Sequence, residues 1–323
     1  MATLKDVAKH AGVSVSTASY SINGNPLVAV DTRKKVMDAA KEIGYRPNGP
    51  AKNLKEQKTK IIGLFLSGFT GPFFNDMMEG IQDVVMEKGY ELVVSSSVDR
   101  HRMLVERYVD GAIVLNYHME DELLYSLASE KLPIVVLDRE LNHSNIQNVL
   151  LPNNEGARKA AEYLIESGHK RLGFIAGSEE SYDGEQRLSG FREELLKGKI
   201  PFQIEDLLRA DFTEESGYQA MKIRMEKDKS GIPTAFLCAN DEMAMGAIRA
   251  IQEYGLNVPE DISIIGFDDI NVAQYFTPSL TTMRIPRKEW GINAAHTLFD
   301  MIERKPDNEL ASIKVDFMKR NSG

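Results

Sequence analysis

The stretch at 12–25, GVSVSTASYSINGN, gathers hydroxyl side chains around a single tyrosine and contains neither lysine nor arginine. Hydroxyl groups can hydrogen-bond to phosphate oxygens and base edges, so such a stretch could contact nucleic acid without carrying charge itself. A second set of candidate residues follows apolar runs further along the chain: Asp138 ends PIVVLD, Asn240 follows AFLCA and Asp268 ends SIIGFD. Carboxylate and amide groups at these positions could form hydrogen bonds with a polar ligand.

Short helices are predicted to position the hydroxylated stretch. Thr3, with Asp6 three residues later, is typical of a capped helix start. Gly12 then allows a tight turn, and Ser14 can cap a second helix over about 15–22. A short helix, a glycine-containing turn and a second short helix form the helix-turn-helix pattern, which presents its second helix to DNA.

A third helix, predicted around 31–43, completes a small helical head. Pro47 and Pro50 then restrict the chain, and the segment that follows contains Ala51 and Leu54. This segment could form only about two helical turns, which are too few to be stable alone in water. From the residues alone, a polar linker is favoured over a helix that forms only when something holds it.

Charge is distributed unevenly along the chain. The formal net charge is −9, yet residues 1–60 contain 11 Lys and Arg against 5 Asp and Glu. The remaining residues contain 28 basic and 43 acidic side chains. A basic head on an acidic body predicts that only the head contacts phosphate, although a solvated basic helix would give the same counts.

Composition disfavours several classes of protein. No apolar run approaches the length of about 20 residues that spans a bilayer, and the polar N-terminus lacks an apolar signal-peptide core, so a cytoplasmic protein without membrane contact is expected. The single cysteine, Cys238, cannot form an internal disulfide and is expected to lie in a buried strand. The sequence has no GxSxG, P-loop or HExxH motif, and its six histidines are scattered. Neither enzymatic activity, nor a metal site, nor a cofactor is expected.

The body of the chain alternates between two kinds of pattern. Runs rich in β-branched residues, such as IIGLFL, GAIVL and TAFLCA, are separated by amphipathic helical stretches. This alternation predicts parallel sheets covered by helices, and its length suggests two doubly wound subdomains. The expected fold is α plus α/β, a helical head followed by two α/β lobes. Ligands of such sheets bind beyond the carboxyl ends of the strands, where the second set of candidate residues lies.

The sequence resembles the LacI/GalR family of bacterial transcriptional regulators over essentially its whole length. The head carries LKDVAKHAGVSVSTASYSINGNP and TRKKVMDAAKEIGYRPN, and the body carries GPFFNDMMEGI, GHKRLGFIAG, AFLCANDEMAMGAIRAI and VPEDISIIGFDD in the family's order. The resemblance implies a helix-turn-helix head at 1–46, a hinge helix and linker at 47–59, and a core for effector binding and dimerisation at 60–323. It further implies two core lobes of periplasmic-binding-protein type, an N-lobe at about 60–150 and 283–310 and a C-lobe at about 151–282 and 311–323.

The resemblance also implies roles in DNA binding. Base reading would fall to Val15, Ser16 and Tyr20. Phosphate contacts would fall to hydroxyl and amide side chains, namely Thr3, Ser14, Thr17, Ser19, Asn23 and Thr32. Leu54, with Ala51 beside it, would enter the minor groove as a wedge from the hinge helix.

Two positions of the head depart from the family pattern. Many relatives have arginine where this chain has Tyr20. An arginine can bond a guanine edge through two hydrogen bonds, whereas tyrosine offers one hydroxyl and an apolar ring, so the facing base pair is predicted not to require guanine. Relatives also often have serine before the third helix, where this chain has Ala29, and Asp31 is expected to cap that helix one turn later.

Candidate effector contacts lie in a cleft that the resemblance implies between the lobes. The family's pattern falls on seven residues, namely Phe73, Phe74, Asp138, Arg187, Phe212, Asn240 and Asp268. Ser181 and Asp183 lie in the loop before Arg187 and are further candidates. Asp241 and Asp269 fit helix caps better than ligand contacts.

Two further features are specific to this chain. Arg287 stands where sugar-responsive relatives often have an apolar or aromatic residue. If its side chain faced the cleft, it would favour an acidic or phosphorylated sugar. If it faced solvent, it would say nothing about the ligand. The segment at 98–109 is shorter than in the family, so its helix is expected to shrink to little more than HRMLVERY.

The predicted function is that of a sequence-specific DNA-binding repressor of carbohydrate-utilisation genes, controlled by a small sugar-like effector. It would bind a near-palindromic operator as a homodimer, and the absence of a heptad tail favours a dimer over a dimer of dimers. A global regulator that uses a phosphocarrier protein as co-repressor stays open as the alternative. A solute-binding protein would share the fold of the body, but the attached head and the missing signal peptide oppose it.

Overall fold

The computed structural model describes residues 2–47, 53, 57–69, 71–97, 100–227, 231–305 and 312–323. The chain divides into two units, Met1–Thr59 and Lys60–Gly323. The predicted hinge residues Ala51 and Leu54 lie outside the described residues, so the hinge helix and its minor-groove wedge stay a prediction.

Three helices form the described part of the first unit, namely α1 (Leu4–Ala11), α2 (Val15–Ile22) and α3 (Val30–Glu42). Their buried side chains meet in one small apolar core, made of Val7, Ala8, Ala11, Ala18, Val36, Ala39 and Ala40. Most of these side chains are alanines, which let the three helix backbones approach closely. Because this core is small, much of the surface of α2 stays exposed.

Side-chain caps start α1 and α2, as predicted. The Thr3 hydroxyl accepts a hydrogen bond from the Asp6 N–H at 3.4 Å, and the Asp6 carboxylate accepts one from the Thr3 N–H at 2.8 Å. Gly12 ends α1 in the left-handed conformation with φ 61°. The Ser14 hydroxyl then accepts a bond from the Thr17 N–H at 3.0 Å and starts α2. The helix-turn-helix is thus fixed by bonds that satisfy the open backbone donors of both helices.

The start of α3 differs from its prediction. Ala29 occupies the N-cap position, and no side chain caps the helix there. Asp31 is already the second residue of the helix, so the expectation that it caps one turn later is wrong. The Asp31 carboxylate can still favour the helix start through its charge, because a helix N-terminus carries partial positive charge.

The first sheet of the second unit contains five parallel strands in the order β2-β1-β3-β4-β5. The strands are β1 (Ile61–Leu66), β2 (Glu91–Ser95), β3 (Gly111–Leu115), β4 (Ile134–Val136) and β5 (Ile146–Asn148). Four helices accompany this sheet, namely α4 (Phe73–Glu87), α5 (Arg102–Val105), α6 (Asp121–Leu127) and α11 (Arg287–Glu303). The four residues of α5 agree with the predicted shortening between 98 and 109.

The second sheet has the strand order β11-β10-β9-β8-β6-β7. Its strands are β6 (Leu172–Ala176), β7 (Leu207–Arg209), β8 (Ala235–Cys238), β9 (Ser263–Asp268), β10 (Thr281–Arg284) and β11 (Asp316–Met318). Its main helices are α7 (Asn153–Glu166), α8 (Tyr182–Lys197), α9 (Glu214–Lys227) and α10 (Asp241–Glu253). Cys238 is fully buried in β8, as expected. The pairing is parallel except at β11, which returns antiparallel beside β10.

Glycines bring α4 and α11 into close contact. A Cβ atom on Gly80 would lie 2.2 Å from the carbonyl oxygen of Lys288, and one on Gly291 would lie 2.2 Å from the carbonyl oxygen of Met77. Either side chain would push the helices apart, since real Cβ atoms do not approach so closely. This packing fixes the start of α11 beside the start of α4, where Phe73 lies.

No helix among the residues described is long and apolar enough to cross a membrane.

Candidate functional site

The predicted base-reading residues lie on the outer surface of α2. Val15 is 43% exposed and Tyr20 is 54% exposed, while Ser16 is exposed beside them. Ser16 and Tyr20 are four residues apart and therefore share one face of the helix. The opposite face carries the buried Ala18 into the core. The helix thus offers a continuous surface of hydroxyl, phenol and methyl groups, and the role of these groups in base reading stays a prediction.

Three of the six predicted phosphate contacts, Thr3, Ser14 and Thr17, lie at the starts of α1 and α2. Thr3 and Ser14 already cap these helices, and the Ser14 hydroxyl also lies 2.8 Å from that of Thr17. Asn23 donates weakly to the Ser19 hydroxyl across 3.4 Å at the other end of α2. Helix starts offer N–H groups and partial positive charge, which suit a phosphate. Thr32 is half-buried in the first turn of α3.

A cavity of about 270 Å³ opens between the carboxyl ends of the two sheets of the second unit. The structure brings all nine predicted effector residues to its wall, namely Phe73, Phe74, Asp138, Ser181, Asp183, Arg187, Phe212, Asn240 and Asp268. Three come from elements of the first sheet and six from elements of the second. This is the arrangement that the strand-end rule predicts for two facing parallel sheets. Contact with an effector stays a prediction for each of the nine.

Arg187 is the central cation of the cavity wall. It lies one turn into α8, which the Ser181 hydroxyl caps by accepting from the Gly184 N–H at 3.2 Å. Its Nε donates to Asn153 Oδ1 at 2.8 Å, and its guanidinium lies 4.0 Å from the centre of the Phe267 ring. Nη1 donates to a main-chain carbonyl and lies 3.3 Å from Asp268 Oδ1. These contacts fix the plane of the guanidinium before any ligand arrives.

Three carboxyl groups of the wall are destabilised as anions. Burial raises the pKa of Asp138 to about 6, against the effect of Arg139, whose Nη1 lies 2.9 Å away. Burial likewise raises the pKa of Asp268 to about 6. Asp183 is partly exposed as a residue, but burial of its carboxyl group and the charges of Asp138 and Asp268 raise its pKa to about 7. These groups therefore titrate close to neutral pH.

Both polar atoms of the Asn240 side chain have partners within the protein. Its Oδ1 accepts from the Met243 N–H at 2.9 Å and caps α10, while its Nδ2 donates to the Phe212 carbonyl at 2.8 Å. The bond to Phe212 holds a backbone with φ 56°, which side-chain-bearing residues rarely adopt. Asn240 thus orients the aromatic ring of Phe212 on the cavity wall.

The expected caps at Asp241 and Asp269 are wrong. Asp241 is fully buried and accepts bonds from the Ile270 N–H at 2.8 Å and from the Thr282 hydroxyl, while Asn240 is the cap. Asp269 forms ion pairs with Arg284 at 2.7 Å and with Arg320 at 2.6 Å. Both carboxylates tie the end of β9 to its surroundings.

Arg287 lies neither in the cavity nor in solvent. Its side chain is 4% exposed, and its Nη2 lies 2.8 Å from Asp76 Oδ2 of α4. The same guanidinium donates to the main-chain carbonyls of Asp268 and, at 3.4 Å, Asp269. Both alternatives considered for this residue are therefore wrong, and its charge gives no reason to expect an acidic or phosphorylated sugar.

The sequence prediction missed several residues of the cavity wall, including Ser67, Tyr117, Asp211 and Glu242. Tyr117 follows β3 closely and Asp211 follows β7 closely, so the strand-end rule could have found both. Glu242 lies in the first turn of α10, beside the predicted Asn240. Among the described residues, the structure contains no group of three or more His, Cys, Asp or Glu side chains arranged to hold a metal ion.

Comparison with known proteins gives matches in both units. The pattern described as "Bacterial regulatory proteins, lacI family" matches residues 3–48, and that described as "Periplasmic binding protein-like domain" matches residues 161–322. HTH-type transcriptional repressor PurR of Pectobacterium carotovorum is 39% identical over 100% of this chain and 97% of its own length. The protein of the same name from Proteus mirabilis is 38% identical over the same shares.

Two solved structures are similar over nearly the whole chain. The lac repressor dimer bound to operator and the anti-inducer ONPF is 29% identical with a TM-score of 0.83, over 99% of this chain and 98% of that one. The complex of transcriptional regulator CelR with cellobiose is 31% identical with a TM-score of 0.75, over 100% of both chains. A helix-turn-helix unit followed by two α/β lobes with a ligand-sized cavity defines a class of DNA-binding transcriptional regulators. The chain belongs to the lacI family of bacterial regulatory proteins within that class.

Proposed function

We propose that this protein is a repressor whose affinity for operator DNA is controlled by a small carbohydrate-like effector in the cavity. The observation that carries the proposal is the presence of all nine predicted effector residues on the wall of one cavity. The aromatic rings of Phe73, Phe74 and Phe212 can cover the apolar faces of a sugar ring. The carboxylates and the fixed guanidinium of Arg187 can bond its hydroxyl groups.

On the DNA side, α2 would lie in the major groove, with Val15, Ser16 and Tyr20 at the base edges. The hydroxyl groups at the helix starts would hold phosphates, and Leu54 with Ala51 would open a central step in the minor groove. One head gives little contact area, so two chains would bind a near-palindromic operator as a homodimer, as the related lac repressor dimer is bound to its operator. Operator binding requires access to the DNA, so we place the protein in the cytoplasm. It would act by binding and catalyse no reaction.

Control would come from the relative arrangement of the two lobes. An effector shifts an equilibrium between two arrangements only by its different affinity for each of them. The cavity wall draws on both lobes, so a bound sugar would favour the arrangement that closes both walls on it. Operator affinity would change because that arrangement sets the separation of the two hinge segments in the dimer.

Operator binding measured with and without candidate sugars tests the proposal. The chain provides its own reporter of the cavity: Trp290, the only tryptophan, is fully buried and lies 6.2 Å from the ring of Phe73. We expect a sugar that alters Trp290 fluorescence to alter operator affinity as well. Arg187→Ala should weaken sugar binding by about 10- to 100-fold, because a charge-assisted bond is lost.

Arg192→Ala is the matched control, since Arg192 lies on the same helix with an exposed side chain and outside the cavity wall. It should leave both affinities unchanged. A sugar that saturates the protein without changing operator affinity would contradict the proposal, as would an Arg187→Ala protein that binds the sugar normally.

A further inference from the structure

Negative charge dominates the cavity wall. Among the described residues, five carboxyl groups and one guanidinium line the cavity, namely Asp138, Asp183, Asp211, Glu242 and Asp268 against Arg187. The acids come from strand ends and helix starts of both lobes, so a ligand would meet them on several sides. Beside its hydroxyl and amide groups, the wall thus offers a ligand five carboxyl groups as acceptors and one guanidinium as a donor.

Three arginines lie near these acids, namely Arg187, Arg139 and Arg287, and each divides its donors among several groups. Arg287 lowers the pKa of Asp268, but its guanidinium donates to Asp76 and to the Asp268 carbonyl. Arg187 divides its donors between Asn153 and the Ala239 carbonyl, and it lies near Asp268. Arg139 pairs with Asp138 at 2.9 Å but also with Asp121 at 2.6 Å. Within the part of the chain that the structure describes, no Lys or Arg lies within ion-pair distance of Glu242 or Asp211.

Two buried carboxylate oxygens of the cavity wall make no hydrogen bond within the described part of the chain. Asp138 and Asp268 are each 4% exposed. Among the described residues, no hydrogen-bond donor serves Asp138 Oδ2. Asp268 Oδ1 makes no hydrogen bond with them either, although Arg187 Nη1 lies 3.3 Å from it as an ion-pair partner. One belongs to the first lobe and the other to the second. Buried acceptors without a partner are costly, so a ligand that supplies donors to both would relieve that cost.

The acids also act on one another. The pKa of Asp183 is raised by burial and then by Asp138 and Asp268, although Arg187 opposes them. The pKa of Glu242 is raised by burial and by Asp268. At the mouth of the cavity, burial and the charges of Asp211 and Glu180 raise the pKa of Tyr117. Burial is the largest cause in each case, and the neighbouring carboxylates add to it.

We infer, on the basis of the proposed effector cavity, that the effector carries a positively charged amino group and is an amino sugar or a closely related amino polyol. The ammonium group would lie among Asp183, Asp268 and Asp138, where it meets several carboxylates and can donate to Asp138 Oδ2, which has no donor among the described residues. The aromatic residues would still cover the sugar ring. A phosphorylated or acidic sugar is disfavoured, because each carboxylate would repel it.

Calorimetric titration of the full chain at low salt tests this inference with matched ligands. Glucosamine, galactosamine and mannosamine are each compared with the neutral parent sugar and with the N-acetyl derivative, which has no positive charge. We expect at least one amino sugar to bind about tenfold or more tightly than both neutral partners. Asp183→Asn should reduce that preference by about tenfold, while Glu166→Gln, an exposed acid outside the cavity wall, should leave it intact.

Trp290 fluorescence would reveal whether Asp183→Asn fails to fold. In that case a second variant tests the same preference. Glu242→Gln removes a different carboxylate of the wall and should reduce the same preference. A parent or N-acetyl sugar that binds as tightly as the amino sugar overturns the inference. If that neutral sugar also alters operator affinity, the proposed function stands. If no sugar of any kind binds, both are overturned.

Proton release on ligand binding gives an independent test of the ligand's charge. Asp183 faces Arg187 and Asn153 as well as the carboxyl groups of Asp138 and Asp268, and it is partly protonated near neutral pH. A bound ammonium group would stabilise the anions and expel protons, whereas a neutral sugar would not. Titrations at about pH 6.5 in buffers with different heats of ionisation should show net proton release for the amino sugar alone. Equal proton release for its N-acetyl derivative would overturn the inference.

Discussion

At the scale of single residues, Asp183 lies near two other carboxyl groups and shares one nearby guanidinium with them. Its pKa rises from an ordinary value of 3.8 to about 7 in the folded protein. A carboxyl group whose folded pKa is raised stabilises the fold below its unfolded pKa and loses that contribution as pH rises through its folded pKa. The free energy of unfolding of the second unit should therefore decrease as the pH rises from about 4 to about 8.

Asp183→Asn should remove this pH dependence, because asparagine stays neutral and its Oδ1 can still accept from the Asn153 amide, now 2.7 Å from Asp183. We expect its gain in the free energy of unfolding to be larger at pH 8 than at pH 5 by about 2–3 kcal/mol. Urea unfolding followed by Trp290 fluorescence reports on the second unit alone. Glu166→Gln should show no such difference. Equal gains for Asp183→Asn at both pH values would refute the assignment.

Individual residues also show where sequence reasoning succeeds and where it stops. Asp138 and Asp268 could be chosen because strand ends are recognisable in the sequence and ligands meet sheets there. Asp241 could not be assigned, because its partners, the Ile270 N–H and the Thr282 hydroxyl, are 29 and 41 residues away. The position of Arg287 could not be decided from the sequence for the same reason, since its partner Asp76 lies 211 residues away on α4. Local patterns hold no information on such contacts.

At the scale of secondary structure, the helices of the head could be predicted because their caps are local. Thr3 and Ser14 lie within three residues of the N–H groups that they satisfy. The strands were recognisable from their β-branched runs, but the antiparallel return of β11 was not, because strand direction depends on the path of the whole chain. The uncapped start of α3, like the caps expected at Asp241 and Asp269, is a local feature that the prediction misread.

The start of α3 offers a test of local energetics. Ala29 has an extended backbone, φ −55° and ψ 143°, which an N-cap residue can adopt. Ala29→Ser should therefore stabilise α3 by about 1 kcal/mol, because the new hydroxyl can accept from an open N–H of the first turn. Hydrogen exchange of the Asp31 and Thr32 amides in the full chain would detect this as slower exchange. Ala29→Val cannot cap and should give no protection; equal protection in both variants would exclude capping as the cause.

At the scale of the whole second unit, Arg287 joins the two lobes behind the cavity. Its helix packs against α4 through Gly80 and Gly291, while its guanidinium donates to the carbonyls of Asp268 and Asp269 at the end of β9. Asp268 has φ 113° and Asp269 has φ 53°, so the backbone there is strained. Arg287 holds this strained turn in place and connects it to the helix that carries Phe73.

Arg287→Leu should therefore weaken communication between the cavity and the operator more than it weakens the cavity itself. A saturating sugar changes operator affinity by some factor, the affinity ratio, and we expect Arg287→Leu to make that ratio about 5- to 10-fold smaller, so that it approaches one. Coupling free energies of about 1–3 kcal/mol allow an effect of this size. The carboxylates of the wall remain, so sugar affinity should change less, by about threefold. Anisotropy of labelled operator DNA and titration of the same sugar measure the two quantities separately.

Lys288→Met is the matched control for Arg287→Leu. Lys288 is the next residue of α11, but it pairs with Glu79 at 2.6 Å and Asp83 at 3.0 Å on α4 and touches no part of β9 through these bonds. It should leave the affinity ratio unchanged, because exposed ion pairs contribute little. If both variants lower the ratio alike, the coupling comes from the general packing of α4 against α11. If neither lowers it, the lobes communicate by a route that does not pass through the end of β9.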